Sequence, residues 1–195
     1  ADLKLFKDGD KTMARTMATL FGEAFETLAQ FRGLSIAAIN GFAMGGGLEC
    51  AMACDLRIVE EHAQLALPEA TVGLMPCAGG TQNLTWLVGE AWAKRMMLLG
   101  ERVSAETALK IGLADELVPT GKGVEKALEL IKKSENQSPT SLQKCKKLIQ
   151  AARFSPMFSN MPTERDAFVE LFSTQDQREG VNAFLEKRKA LWQNK

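Results

Sequence analysis

The stretch Ile36-Ala-Ala-Ile-Asn-Gly-Phe-Ala-Met-Gly-Gly-Gly-Leu-Glu-Cys-Ala-Met-Ala-Cys-Asp55 leaves few ways for the chain to fold. Leu34 to Ile39 is a short apolar run, β-branched at two positions and bounded by turn-formers. It reads as a buried strand ending at Asn40-Gly41. Gly45, Gly46 and Gly47 then open a helix that carries Glu49 in its first turn. Leu48, Cys50, Ala51, Met52, Ala53 and Cys54 leave this helix hardly any polar face, so it is expected to be buried all round. A carboxylate inside such a helix is costly unless something partners it.

The remaining segments supply the covering layers. Residues 11–31 place Met13, Met17, Leu20, Phe21, Ala24, Phe25 and Leu28 on a helical stripe of period 3.6. Asp55 to Val59 reads as a second strand and Gln64 to Leu67 as a third. Thr81 to Leu99 reads as a helix stopped by Gly100. Ser104 reads as the N-cap of a short helix ending at Gly112, before a strand near Glu116 to Val118. Alternation of this kind points to a largely parallel α/β core. Beyond Pro119 amphipathic helices follow, broken near Ser138-Pro139, Ser155-Pro156 and Met161-Pro162. The organisation is therefore read as an α/β core over residues 1–120 and a helical region over residues 121–195.

Composition removes several function classes. The 195 residues suffice for one domain with a sizeable core. Lys and Arg number 24 and Asp and Glu 24, so no global field draws in nucleic acid or an anionic membrane. No apolar run approaches the roughly 20 residues that span a bilayer, and Ala1-Asp-Leu-Lys4 does not read as a signal peptide. Cys50, Cys54, Cys77 and Cys145 read as small buried thiols in a reducing compartment. Zinc would want further Cys or His ligands, and the sole histidine is His62. His62 reads as a solvated loop residue, which argues against Ser-His-Asp or Cys-His catalysis. Lys144, Lys146 and Lys147 read as a solvated helix face.

Glu69 meets the same conditions as Glu49. It closes Gln64-Leu-Ala-Leu-Pro-Glu69, held by Pro68 at the end of a short strand, and the glycine-rich stretch Gly73 to Gly80 follows. Two carboxylates sharing an apolar site would have raised and coupled pKa values and could form an acid–base pair. Structural ion pairing is the competing reading. Three successive glycines let a ligand approach the backbone closely, and N–H groups at a helix N-terminus stabilise negative charge. A dinucleotide fold also uses glycines after a strand. Here, however, the G-x-G-x-x-G pattern begun at Gly45 meets Cys50 at its last position and starts too far beyond the strand. The layout suits stabilising an oxyanion and moving protons.

Several segments, in order, resemble the enoyl-CoA hydratase/isomerase (crotonase) family. They are Ala1-Asp-Leu-Lys4, Ala37-Ala-Ile-Asn-Gly41, Gly45-Gly-Gly-Leu-Glu49, Ala53-Cys-Asp55, Pro68-Glu69, Gly79-Gly-Thr-Gln82, Ser104 to Leu113 and Arg178 to Arg188. The resemblance covers nearly the whole chain. It implies an α/β fold, the crotonase-like ββα superhelix with a C-terminal helical region that serves trimerisation and CoA contact. It also implies an enoyl-CoA hydratase that adds water syn across the double bond of a 2-enoyl-CoA thioester. Glu49 would orient and deprotonate the water, and Glu69 would deliver a proton to the α-carbon. The N–H groups of Gly46 and Ala1 would form the oxyanion hole. Ala1, Asp2, Leu3, Lys4 and Gly46 would contact the substrate, Lys4 near the ribose-phosphate or adenine end of CoA. Phe184 and Lys187 would contact the CoA of a site in the same or a neighbouring subunit.

By the same resemblance no metal or redox cofactor is expected, coenzyme A being part of the substrate. Isomerases of the family can work with the Glu69 position alone, so retention of both glutamates favours the hydratase. A double-bond isomerase or another acyl-CoA reaction is the alternative, and a non-catalytic RNA- or protein-binding member is the reading from another class. A homotrimer or dimer of trimers is expected, in the cytoplasm or, in a eukaryote, the mitochondrial matrix. Family members carry several dozen residues before the position of Ala1, so Ala1 is expected to lie inside a longer chain. The acyl pocket is expected from Val72 to Pro76 and from the C-terminal helices.

Overall fold

Short apolar runs separated by turns give short strands, and here they are shared between two sheets. The computed structural model describes residues 3–7 and 9–195, Leu3 and Leu5 by their backbone only. After a 3-10 turn at Leu3–Phe6, helix α1 spans Lys11–Ala29. The Asp10 carboxylate caps α1 by accepting from the N–H groups of Thr12 and Met13. Met13, Met17, Phe21, Phe25 and Leu28 are half-buried, whereas Leu20 and Ala24 face outward. Next come β1 (Ile36–Ile39), β2 (Phe42–Met44), α2 (Gly46–Ala53), β3 (Leu56–Glu60) and β4 (Gln64–Ala66). A 3-10 turn at Glu69–Val72 precedes α3 (Gly80–Leu98), followed by β5 (Val103–Ser104), α4 (Ala105–Lys110) and β6 (Glu116–Val118). The last helices are α5 (Gly123–Ser134), α6 (Pro139–Ala151), α7 (Met157–Leu171) and α8 (Gln175–Leu185).

The strands sort into two sheets. One is parallel, in the order β1-β3-β6, and the other has β4 between β2, its parallel neighbour, and β5, its antiparallel one. The chain thus visits both sheets before each of α2 and α3, which is the α/β architecture expected. Strand β2 was not foreseen, because its three residues bury only Ala43 and give no alternation. Between the layers, Leu48, Ile58, Leu65, Leu67, Leu84, Met96 and Leu113 are wholly enclosed. Helix α3 also differs from expectation. Gly89 has φ 74° and ψ 166°, so the helix breaks there, a conformation open to glycine alone.

Arg57 on β3 is the one buried arginine among the described residues, at 3% exposure. Its Nε donates to Leu113 O at 2.7 Å, and Nη2 meets Asp115 Oδ2 at 2.9 Å. Asp115 Oδ2 also accepts from the Arg57 N–H at 2.7 Å. Hydrogen bonds to charged groups are worth about 1.5–3 kcal/mol each and are costlier to leave half-made. Arg57→Met should therefore lower unfolding free energy by about 3 kcal/mol. Urea melts of both proteins measure this, and an unchanged midpoint would mean the network contributes nothing net.

Contacts gather Ser35–Leu128, with the described residues up to Phe31, into one unit, and Glu129–Lys195 with Arg32–Leu34 into a second. Within the second unit, Pro162 lies inside α7 and does not break it, contrary to expectation. Pro156 already ends the preceding turn, and Pro162, early in the helix, removes a single N–H donor. Buried Asp176 accepts from the N–H groups of Gln193 and Asn194, and Glu179 pairs with Arg188 and accepts from the Leu191 N–H. Residues 188–195 are thereby strapped to α8. The lysine cluster is less solvated than expected: Lys144 pairs with Glu170 and Lys146 donates to Gly33 O, leaving Lys147 exposed.

Candidate active site

Strands β2 and β4 run side by side, Met44 opposite Ala66, and each leads within a few residues to a glutamate. From Met44 the chain turns at Gly45, whose φ of 55° suits glycine. The Gly45 N–H donates to Ala66 O at 3.0 Å, and its carbonyl accepts from Leu48 and Glu49. Helix α2 therefore starts with Gly45 as an N-cap that has no side chain to bond the first turn. The N–H groups of Gly46 and Gly47 make no hydrogen bond among the described residues. Gly47 is exposed and Cys50 half-buried, so α2 is open on one side instead of buried all round. That opening lies at the first turn, where the helix would otherwise bury unbonded N–H groups.

Glu49 points the other way and is only 3% exposed. Its Oε1 accepts from the N–H groups of Ala78 and Gly80, both at 2.8 Å. These are the partners a carboxylate in an apolar helix requires. Its Oε2 makes no hydrogen bond among the described residues.

Glu69 follows wholly buried Leu67 and then Pro68, and begins the 3-10 turn. Its Oε2 is buried with no hydrogen-bond partner among the described residues. A Cβ placed on Gly45 would come within 3.1 Å of Glu69 Oε1, so the glycine that starts the Glu49 helix also backs the Glu69 carboxylate. Burial pushes the Glu69 carboxyl above its ordinary value; its own backbone N–H pulls the other way, and the charge of Glu49 adds to the rise. The structure brings the two predicted carboxylates together, in unlike surroundings.

Cys77 is a site residue that sequence reasoning missed. It was grouped with buried thiols, yet it and Cys145 are exposed, and Cys50 and Cys54 are half-buried. Partial burial and then the charges of Glu49 and Glu69 push the Cys77 thiol upward, so it sits within their field. Only its place in the glycine-rich stretch hinted at this. Exposed Val72, Leu74 and Met75 line the loop between Glu69 and Cys77.

The other predicted positions are less informative. Ala1 and Asp2 lie outside the described residues, as does the Leu3 side chain, and Lys4 is exposed. Phe184 and Lys187 belong to the second unit and are exposed. Lys187 is not on a helix face: α8 ends at Leu185, and Lys187 has φ 55°. His62 is exposed but not simply solvated, because its ring nitrogens meet Thr120 Oγ1 and Asn40 O, each at 3.0 Å. No group of three or more His, Cys, Asp or Glu side chains suited to a metal occurs among the described residues, and no described helix is long and apolar enough to cross a membrane.

Comparison with known proteins identifies the family. A family model described as enoyl-CoA hydratase/isomerase matches residues 1–195. The chain belongs to the enoyl-CoA hydratase/isomerase family. Within it, the 2,3-dehydroadipyl-CoA hydratase of Escherichia coli K12 is 37% identical over 179 residues, which cover 92% of this chain and 70% of that protein. The short-chain-enoyl-CoA hydratase of Clostridium acetobutylicum is 35% identical, covering 97% of this chain and 72% of the relative. Among solved structures, DspI of Pseudomonas aeruginosa superposes with a TM-score of 0.96 at 62% identity, over 99% of this chain and 74% of that one. An enoyl-CoA hydratase from Bacillus anthracis gives 0.94 at 35% identity, over 100% of this chain and 76% of its own.

Proposed function

We propose that this protein is an enoyl-CoA hydratase, a hydro-lyase that adds water across the double bond of a 2-enoyl-CoA thioester. The observation that carries the reading is the pairing of two unlike carboxylates. One oxygen of Glu49 is fixed by two N–H donors, which leaves the other to accept from a water. Glu69 is held where burial favours its protonated form. Relatives named for short-chain-enoyl-CoA and crotonyl-CoA hydration support the same reaction.

In this mechanism a water bound between the glutamates loses a proton to Glu49 as its oxygen attacks the β-carbon. The electron pair of the double bond moves toward the thioester, and the α-carbon takes a proton from Glu69. Oxygen and hydrogen arrive on one face because both glutamates stand on the same side of the substrate. The thioester oxygen gains negative charge as the water adds. The N–H of Gly46 meets that charge, assisted by the N-terminus of α2, and such a preorganised donor is worth about 3 kcal/mol. The N–H of Ala1 is the proposed second donor. Asp2, Leu3 and Lys4 would follow the substrate's CoA portion, and Phe184 and Lys187 would touch the CoA of a site in the same or a neighbouring subunit. Nothing in these steps calls on a metal or a separate cofactor.

We also propose assembly as a homotrimer or a pair of trimers, which exposed Phe154 in the turn before α7, Phe158 on α7 and Leu185 on α8 support. Light scattering behind a sizing column tests it, and a monomer mass would sink it. For the reaction, crotonyl-CoA should lose its conjugated enoyl-thioester absorbance when the protein is added with no cofactor. No loss across short, medium and branched enoyl-CoAs would refute the hydratase assignment.

A further inference from the structure

Gly80 stands at the start of α3 with its α-carbon pressed into the space beside Glu49. A Cβ built there would lie 2.8 Å from Glu49 Oε1, 3.1 Å from Glu49 Cγ and 2.7 Å from Pro76 Cβ. Real Cβ atoms do not come within 3.0 Å of a neighbour, so a side chain here would force a shift. Pro76 is buried and its ring fixes the local backbone, so the end of the longer Glu49 side chain is the part that gives way. The N–H of the same residue reaches the same oxygen, with Gly80 N to Glu49 Oε1 at 2.8 Å. Gly80 thus meets the carboxylate twice, through a donor that draws it in and through an empty volume that lets it stay. Its φ is not in the left-handed region, so backbone conformation alone does not demand glycine there. Glu69 lies at the far end of the same loop and makes no such contact with Gly80.

We propose that Gly80 is a positioning residue for hydration: its missing side chain and its N–H together set the Glu49 carboxylate where it receives the water's proton. The proposal rests on the hydratase reading. It separates the two ends of the Glu69–Gly80 loop, one carrying the proton donor and the other aiming the base. A side chain at position 80 displaces Glu49 and spares Glu69.

The test is Gly80→Ala, with Gly22→Ala as a control. Gly22 is a helical glycine with open space where its Cβ would go, and this variant should match the parent. A misplacement of about 1 Å costs on the order of 10²-fold in rate. Hydration turnover by Gly80→Ala should fall by roughly that factor, with KM within about threefold of the parent. Double-bond isomerisation, which needs no activated water, should fall much less. In a Glu49→Gln background the same substitution should have no further effect on hydration, because the residue it acts through is already disabled. A second readout needs no turnover. Cys77 feels the charge of Glu49, so the pH midpoint of its alkylation by iodoacetamide, followed by peptide mass, should move in Gly80→Ala and stay put when Gly80→Ala is added to Glu49→Gln.

Equal losses in both backgrounds, or an unmoved thiol midpoint, would overturn the proposal. A parent protein without hydratase activity would overturn the reading of function and leave the thiol midpoint to decide the positioning. If Gly80→Ala alone fails to melt cooperatively, the measurements are made with Pro76→Gly added, which removes the contact at 2.7 Å and leaves the one with Glu49. Failure of that pair to fold would mean that Gly80 serves the fold alone.

Discussion

Glu69→Gln should abolish most of the hydration activity, lowering turnover roughly 10²- to 10⁴-fold, the usual worth of a general acid. Double-bond isomerisation should fall in parallel, since both reactions need a proton placed on carbon. The same change should raise stability near neutral pH. Burial holds the Glu69 carboxyl above its ordinary value, so between that value and the raised one the folded chain keeps a proton that the unfolded chain has lost. Stability from this group is therefore full in acid and declines as pH climbs through that window. Glutamine carries no charge to desolvate. The melting temperature of the variant should exceed that of the parent at pH 7 and converge with it below the ordinary carboxylate range. An active Glu69→Gln, or a gap that widens in acid, would contradict the assignment.

The second large effect divides the two carboxylates. Glu49→Gln should lower hydration by about 10² to 10⁴ while leaving isomerisation comparatively intact, because only hydration needs the water activated. Glutamine still accepts from the N–H groups of Ala78 and Gly80 through its amide oxygen, so the fold should survive and melting should stay cooperative. Hydration near the parent rate in folded protein would remove Glu49 from the mechanism. Equal losses in both reactions would mean that it serves binding or geometry.

Much of this was legible in the chain because burial leaves a mark on composition. Leu48 to Cys54 is apolar around a single glutamate, and that anomaly alone identified a buried carboxylate in need of partners. The partners could not be read, since Ala78 and Gly80 act through backbone N–H groups some thirty residues away, and any residue but proline offers one. Ser104, Pro139 and Pro156 marked helix starts through local chemistry that needs no tertiary context. Pro162 gave the same signal inside a helix that continues past it. Gly89 hid within a helical pattern because glycine is permitted both in a helix and at its break. That one oxygen of Glu69 meets no partner among the described residues was equally hidden, for a sequence shows which groups are present and not which of them fail to meet. The resemblance supplied roles for Ala1, Asp2, Phe184 and Lys187 that no pattern in the chain would have suggested.

The pairing of Met44 with Ala66 has a consequence for how such a chain tolerates length changes. The turn Glu61–Ala63, which carries the chain from one sheet to the other, and the stretch Gly73–Pro76 lie outside the ladder between β2 and β4, so added or lost residues there leave the Met44–Ala66 pair in step. Between Met44 and Glu49, or between Ala66 and Glu69, a single deletion is of another kind. One residue fewer swings the following side chain to the opposite face of a strand, or about a quarter turn around a helix. Natural insertions and deletions in relatives should therefore collect in the outer turns and be absent from those two short spans. Whatever drift in substrate preference the outer turns permit, the distance from strand to carboxylate behaves as a fixed gauge.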